Sequence, residues 1–151
     1  MSIHDRLRAR GIALPHAAAP VASYQPVVVD GHTAFVSGQL PFVDGELVIG
    51  KLGEGVTLEQ GQQAARACGL MILAQLEAAG LIERVAHFVK LGGFVACTPD
   101  FCDQPKVING ASDLMYEVFG DPGKHARSAV GVPALPLNAA VEVDAIVALK
   151  A

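Results

Sequence analysis

Two charged residues stand where the apolar pattern of strands surrounds them. Arg127 follows Ala126 and precedes Ala129 and Val130, and Glu142 lies within Val141-Glu142-Val143. A charge beside a sheet core is costly unless it is paired or used. Arginine presents a planar fork that binds a carboxylate through two hydrogen bonds, and glutamate orients or deprotonates a water. The spacing alone leaves three arrangements open: a site for a carboxylate-bearing ligand, a structural Arg127–Glu142 bridge, or two charges facing solvent from alternating strands.

Other catalytic patterns are missing from the sequence. It has no GxSxG, no Gly-rich phosphate loop, no HExxH and no paired CxxC. His4, His16, His32, His87 and His125 occur singly, without ligand spacing, and are expected in structural or solvated roles. Cys68, Cys97 and Cys102 match no zinc spacing. They suit a reducing compartment, with Cys68 in the core and Cys97 and Cys102 packed beside a turn. Neither a metal nor a cofactor is expected.

The 151 residues are enough for one domain with one core. Apolar residues make up 52% and charged residues only 17%, against a usual charged share of about 25%. A chain this small hides that much apolar surface poorly, so a homo-oligomer is expected. The formal net charge of −4 offers no global attraction for nucleic acid or an anionic membrane. No apolar run approaches the roughly 18 residues of a membrane span. Ala13 to Ala22 is broken by Pro15 and Pro20, unlike a signal peptide, and a cytoplasmic protein is expected. Arg6, Arg8 and Arg10 suggest a short amphipathic helix inside an N-terminal extension over 1–23.

Elements must position Arg127 and Glu142. Asp30-Gly31 predicts a two-residue hairpin between strands over 27–29 and 32–36, and Asp44-Gly45 predicts a second turn leading to a third strand over 46–49. Thr57-Leu58-Glu59-Gln60 reads as a capping box opening a helix over 58–79, with Gln75 the one polar residue on its apolar face and Gly80 closing it. A strand over 85–95 contains Gly92-Gly93, the mark of a bulge or a close approach. A helix over 106–119 and strands over 128–132 and 140–149 complete the chain. The order β-β-β-α-β-α-β-β predicts an α+β fold with two helices on one face of a mixed sheet.

Several segments together resemble the YjgF, or Rid (reactive intermediate deaminase), family. They are Ala126 to Val132, Leu135-Pro136, Val141 to Ile146, Ser37-Gly38-Gln39-Leu40-Pro41, Ala78-Ala79-Gly80-Leu81 and the position of Tyr24. The resemblance implies a chorismate-mutase-like fold assembled as a homotrimer with clefts between chains. It implies hydrolysis of reactive 2-imino or enamine acids to 2-oxo acids and ammonia, without a cofactor. Arg127 would grip the substrate carboxylate, Glu142 would position the attacking water, and Tyr24, Ser37 and Gly38 would line the cleft. Three departures mark a distinct branch. Ala129 stands where the family often has Cys; His125, either a proton donor near the cleft or a loop cap, stands where it usually has Pro; and the segment 102–119 is longer. Two other functions remain in view: a non-enzymatic carboxylate-binding or chaperone-like protein, and an endoribonuclease, which the acidic balance disfavours.

Overall fold

The computed structural model describes residues 1–20 and 22–151; Val21, within the Ala13 to Ala22 segment, lies outside them. Helix α1 (Ile3–Ala9) is capped by Ser2 and Asp5 in a reciprocal box and buries Leu7. Strands β1 (Val27–Asp30) and β2 (Thr33–Gln39) form the expected hairpin, one residue out of the predicted register. Asp30 pairs with Thr33, so Gly31 and His32 make the turn, and Gly31 takes the positive φ. At Asp44-Gly45 both φ values are positive, as a type I′ turn requires.

The predicted three-stranded meander does not form. Beyond β2 the chain breaks at Leu40-Pro41, where proline has no N–H to donate to a ladder. Phe42–Val43 (β3) and Glu46–Leu47 (β4) pair with each other in a ribbon apart from the main sheet. A second ribbon, Lys51–Leu52 (β5) with Gly55–Val56 (β6), follows. Helix α2 (Leu58–Ala78) begins at the predicted box, with Thr57 and Gln60 exchanging side-chain and backbone hydrogen bonds, and ends before Gly80 at φ +72°.

Strand β7 (Val85–Ala96), helix α3 (Gln104–Phe119), and strands β8 (Ala126–Val132) and β9 (Val141–Leu149) agree with the periodicity to within a few residues at their ends. The five long strands lie in the order β1-β2-β9-β7-β8, antiparallel except for β7 with β8. This is a mixed sheet of the α+β class, with α2 and α3 on one face and α1 docked at the end of α3 as a third helix. On β9, Val141, Val143, Ala145, Val147 and Leu149 are buried toward the helices, and the residues between them are only half-buried on the opposite face. Gln75, buried on α2, donates to the Ala18 carbonyl at 2.8 Å and to Gln39 Oε1 at 3.3 Å, so its polarity is satisfied. Cys68 and Cys97 are buried, but Cys102 is exposed, contrary to its predicted packing.

Gly92-Gly93 serves close approach; the bulges of β7 fall earlier, between Val85 and Lys90. A Cβ on Gly93 would lie 2.5 Å and 2.6 Å from Ile108 Cγ1 and Cδ1, so glycine sets how near α3 sits to the sheet. Gly93→Ala is predicted to cost about 1–3 kcal/mol by overpacking. Combined with Ile108→Ala, which removes the opposing atoms, it should cost less than the sum of the two single losses. Urea unfolding measures this, and strict additivity would contradict the contact.

Candidate functional site

Arg127 belongs to the helix-covered side of the sheet. Its parallel partner on β7 is Leu91, fully buried beneath the helices. Because β8 is an edge strand, the Arg127 side chain reaches the flank of α3 instead of the core. There Nη1 donates to Asn109 Oδ1 at 2.8 Å and to Ser112 Oγ at 3.1 Å. Both partners are neutral and both occupy one nitrogen, and among the described residues no carboxylate forms an ion pair with the guanidinium. The group lines a cleft of about 340 Å³ with Asn109, Ser112, Tyr116, Lys124 and His125.

His125 stands beside Arg127 with both ring nitrogens engaged. Nδ1 lies 2.7 Å from the Gly123 carbonyl and Nε2 lies 2.9 Å from Ser112 Oγ. A carbonyl only accepts, so Nδ1 carries the proton, and in the neutral ring Nε2 accepts from the Ser112 hydroxyl. Burial, and then the nearby Arg127 charge, hold the His125 pKa below its ordinary 6.5, against the hydrogen bond to Gly123. The ring is therefore neutral at pH 7.

Glu142 lies on the other face. It is opposite Phe94 of β7, which in turn is opposite Val130 of β8. The register between β2 and β9 slips between Val36 and Gln39, so Ser37 and Gly38 form a bulge that turns Gly38 toward Glu142. A Cβ on Gly38 would meet the Glu142 carboxylate, so a larger residue there would push that carboxylate aside. Ser37 Oγ donates to the Gln25 carbonyl at 2.7 Å, and its N–H donates to the Pro26 carbonyl at 2.9 Å. These bonds hold the segment that carries exposed Tyr24 beside the bulge. Burial and the neighbouring Asp144 raise the Glu142 pKa above its ordinary value. Asp144 is raised as well, mainly by burial, although its Oδ1 accepts from the Gly92 N–H at 3.1 Å.

Within one chain, then, the predicted residues form two groups. Ser37, Gly38 and Glu142 meet at the bulge between β2 and β9, with exposed Tyr24 in the segment tied to it, while Arg127 lies in the α3 cleft across the sheet. The bridge between Arg127 and Glu142, one of the arrangements left open by the sequence, does not exist. Asn109, Ser112 and the paired role of His125 were not singled out from sequence. Their signal was the three-residue spacing of Asn109 and Ser112 on α3, which puts both on one flank of the helix. A larger groove of about 700 Å³ between the segment 13–18 and α2 is mostly apolar, and its Arg66 is already paired with Glu117 at 3.0 Å. Among the described residues no group of three or more His, Cys, Asp or Glu is placed to hold a metal ion, and no helix is long and apolar enough to cross a membrane.

The family model described as "YjgF/chorismate mutase-like, putative endoribonuclease" matches residues 4–149. The chain belongs to the YjgF/Rid family. It is 51% identical to protein TCP17 of Trypanosoma cruzi, over 95% of this chain and 92% of that one. It is 32% identical to the 2-iminobutanoate/2-iminopropanoate deaminase of Dermatophagoides farinae, over 93% and 97%. A solved structure of a protein of unknown function from Agrobacterium tumefaciens is 44% identical and superposes with a TM-score of 0.89, covering 99% of this chain and 93% of that one. The YjgF/chorismate-mutase-like fold expected from the residues is thus the fold observed.

In this YjgF/Rid chain burial and Asp144 disfavour the charged form of Glu142. A carboxylate whose folded pKa is raised destabilises the fold above its unfolded value of 4.5, where the unfolded chain ionises more readily. Glu142→Gln is predicted to raise Tm at pH 7. The difference should shrink as pH falls below 4.5, where both states are protonated. A Tm lowered by this substitution at pH 7 would show that the charge is compensated in the fold.

Proposed function

We propose that this chain hydrolyses small 2-imino acids to 2-oxo acids and ammonia, in clefts completed by a second copy of itself. One observation carries the reading: Arg127 is a half-buried guanidinium held by two neutral side chains through one nitrogen, leaving the remainder of its fork for a carboxylate. The similarity to a 2-iminobutanoate/2-iminopropanoate deaminase supports the substrate class. In this reading Arg127 fixes the carboxylate, so that the adjacent C2, already electrophilic in an imine, faces water. Glu142 positions that water, and Tyr24, Ser37 and Gly38 line the same space. Positioning of this kind accounts for large accelerations without a cofactor.

Because Arg127 and Glu142 lie across the sheet from each other, the reading needs Glu142 of one copy to approach Arg127 of another. The helix-free face favours such assembly: Phe35 is 44% exposed, Val130 46% and Val28 50%. Large apolar side chains left exposed on one sheet face are a common mark of a surface that another chain covers. We propose a homotrimer on the family resemblance, and a cytoplasmic setting on the free thiols, one of them exposed. The net charge of −4 disfavours the ribonuclease alternative.

Three measurements follow. Light scattering at micromolar concentration should give three times the chain mass, and a stable monomer would contradict the shared cleft. Arg127→Ala should weaken binding of 2-oxobutanoate by about 10- to 100-fold while the fold persists, with poor recovery in Arg127→Lys, whose point charge lacks the fork. Unchanged binding would remove Arg127 from the site. Glu142→Gln should lower kcat for 2-iminopropanoate by about 100-fold with little change in 2-oxobutanoate binding, the mark of an interaction strengthened in the transition state. Binding without turnover in the unaltered protein would favour the carboxylate-binding function.

A further inference from the structure

We propose that Ser112 and His125 form the proton relay of the cleft, carrying a proton from the attacking water to the departing nitrogen. This rests on the deaminase reading and deepens it. The carboxylate of a 2-imino acid is bonded directly to the reacting carbon, so an acid held by Arg127 brings that carbon and its nitrogen within a few ångströms of the guanidinium. Ser112 Oγ is 3.1 Å from Arg127 Nη1 and lines the same cleft. Behind it, His125 Nε2 is 2.9 Å away with its lone pair toward the Ser112 hydroxyl, fixed in that tautomer by the Nδ1–H bond to the Gly123 carbonyl at 2.7 Å. A hydroxyl hydrogen-bonded to such an imidazole takes a proton on one side as it gives one on the other.

The balance is closed. Water adds through oxygen to C2, and the C=N π pair moves to nitrogen. One water proton passes to Ser112 Oγ as the serine proton passes to His125 Nε2. The imine nitrogen, entering as the protonated iminium, becomes the neutral amine of a carbinolamine. The relay then reverses: imidazolium returns its proton through Ser112 to that amine, the C–N bond breaks, the hydroxyl oxygen closes C=O with release of its proton to water, and ammonia leaves. His125 ends neutral. Ser112 touches the reacting atoms, and His125 acts through it.

The relay joins two elements: Ser112 lies one turn after Asn109 on α3, and His125 stands at the entry to β8, two residues before Arg127. The groups around the imidazole are Arg127 from β8, Lys124 from its own turn, and Asp113 and Tyr116 from α3. Of these, Arg127 is the charge that acts on the ring, and together with burial it favours the neutral form. A relay that starts from neutral imidazole works above the folded His125 pKa and fails as pH falls through it.

The test compares the unaltered protein, Ser112→Ala, His125→Asn and Glu142→Gln by kcat for 2-iminopropanoate from pH 5 to 8, and by 2-oxobutanoate binding. The unaltered protein should show an acidic limb with its midpoint below 6.5. Ser112→Ala and His125→Asn should each lose about 10- to 100-fold in kcat; His125→Asn should abolish the limb with 2-oxobutanoate binding unchanged to within about twofold, whereas Ser112→Ala, which also removes a partner of Arg127, should weaken that binding too. Glu142→Gln should keep the limb at lower kcat throughout. Unaltered turnover and pH profile in His125→Asn, in a protein that does deaminate, would overturn the relay alone. No turnover in the unaltered protein would overturn the deaminase reading and the relay with it.

Discussion

Alternation of side chains across a sheet covered on one face only is the constraint from which this molecule's site follows. On β9 every second residue, from Val141 to Leu149, is consumed by packing against the helices. What lies between them, Glu142 and Asp144 included, must face away. On the edge strand β8 the same alternation turns Arg127 toward α3. The two groups with the most chemical potential therefore lie on opposite faces of the sheet. In the proposed assembly a second copy would bring them together and cover the apolar residues that the helices leave bare.

The cleft around Arg127 shows how neutral partners can prepare a charged group. Asn109 and Ser112 orient the guanidinium without satisfying its charge, so its affinity for an anion is kept. Had a carboxylate stood in their place, the fork would be occupied and the cleft closed to an acid ligand. His125 is held neutral in the same environment by burial and by the Arg127 charge, so the cation and the proton acceptor are consequences of one arrangement. Across the sheet the bulge at Ser37-Gly38 performs a corresponding task, opening the space in which the Glu142 carboxylate sits.

Much of the fold was legible in the sequence because local signals agreed. The Thr57–Gln60 box, the apolar stripe through Cys68 and Ile72, and the strict alternation after Val141 each specify an element by a short-range rule. The third meander strand misled because alternation and an Asp-Gly turn describe a ribbon and a sheet strand equally well. Pro41 decided between them by breaking the chain away from the sheet. Arg127 and Glu142 were conspicuous as charges among apolar neighbours, yet which face each occupies depends on the parallel register of β7 with β8, a non-local pairing. Ser112 and His125 are thirteen residues apart and meet only because the turn at 120–123 folds β8 back along α3. No local pattern encodes that meeting.

In the proposed assembly one working site takes Arg127 from one copy and Glu142 from another, and mixing two variants puts this to the test. Arg127→Ala and Glu142→Gln chains, each inactive alone, are unfolded together in equal amounts, refolded, and assayed with 2-iminopropanoate. If each cleft joins residues of two neighbouring copies, random assembly leaves about one cleft in four with both native residues, and the mixture should recover about a quarter of the activity of the unaltered protein. If the mixture stays as inactive as its two components, Arg127 and Glu142 must act from the same chain, and the account given by this fold is wrong.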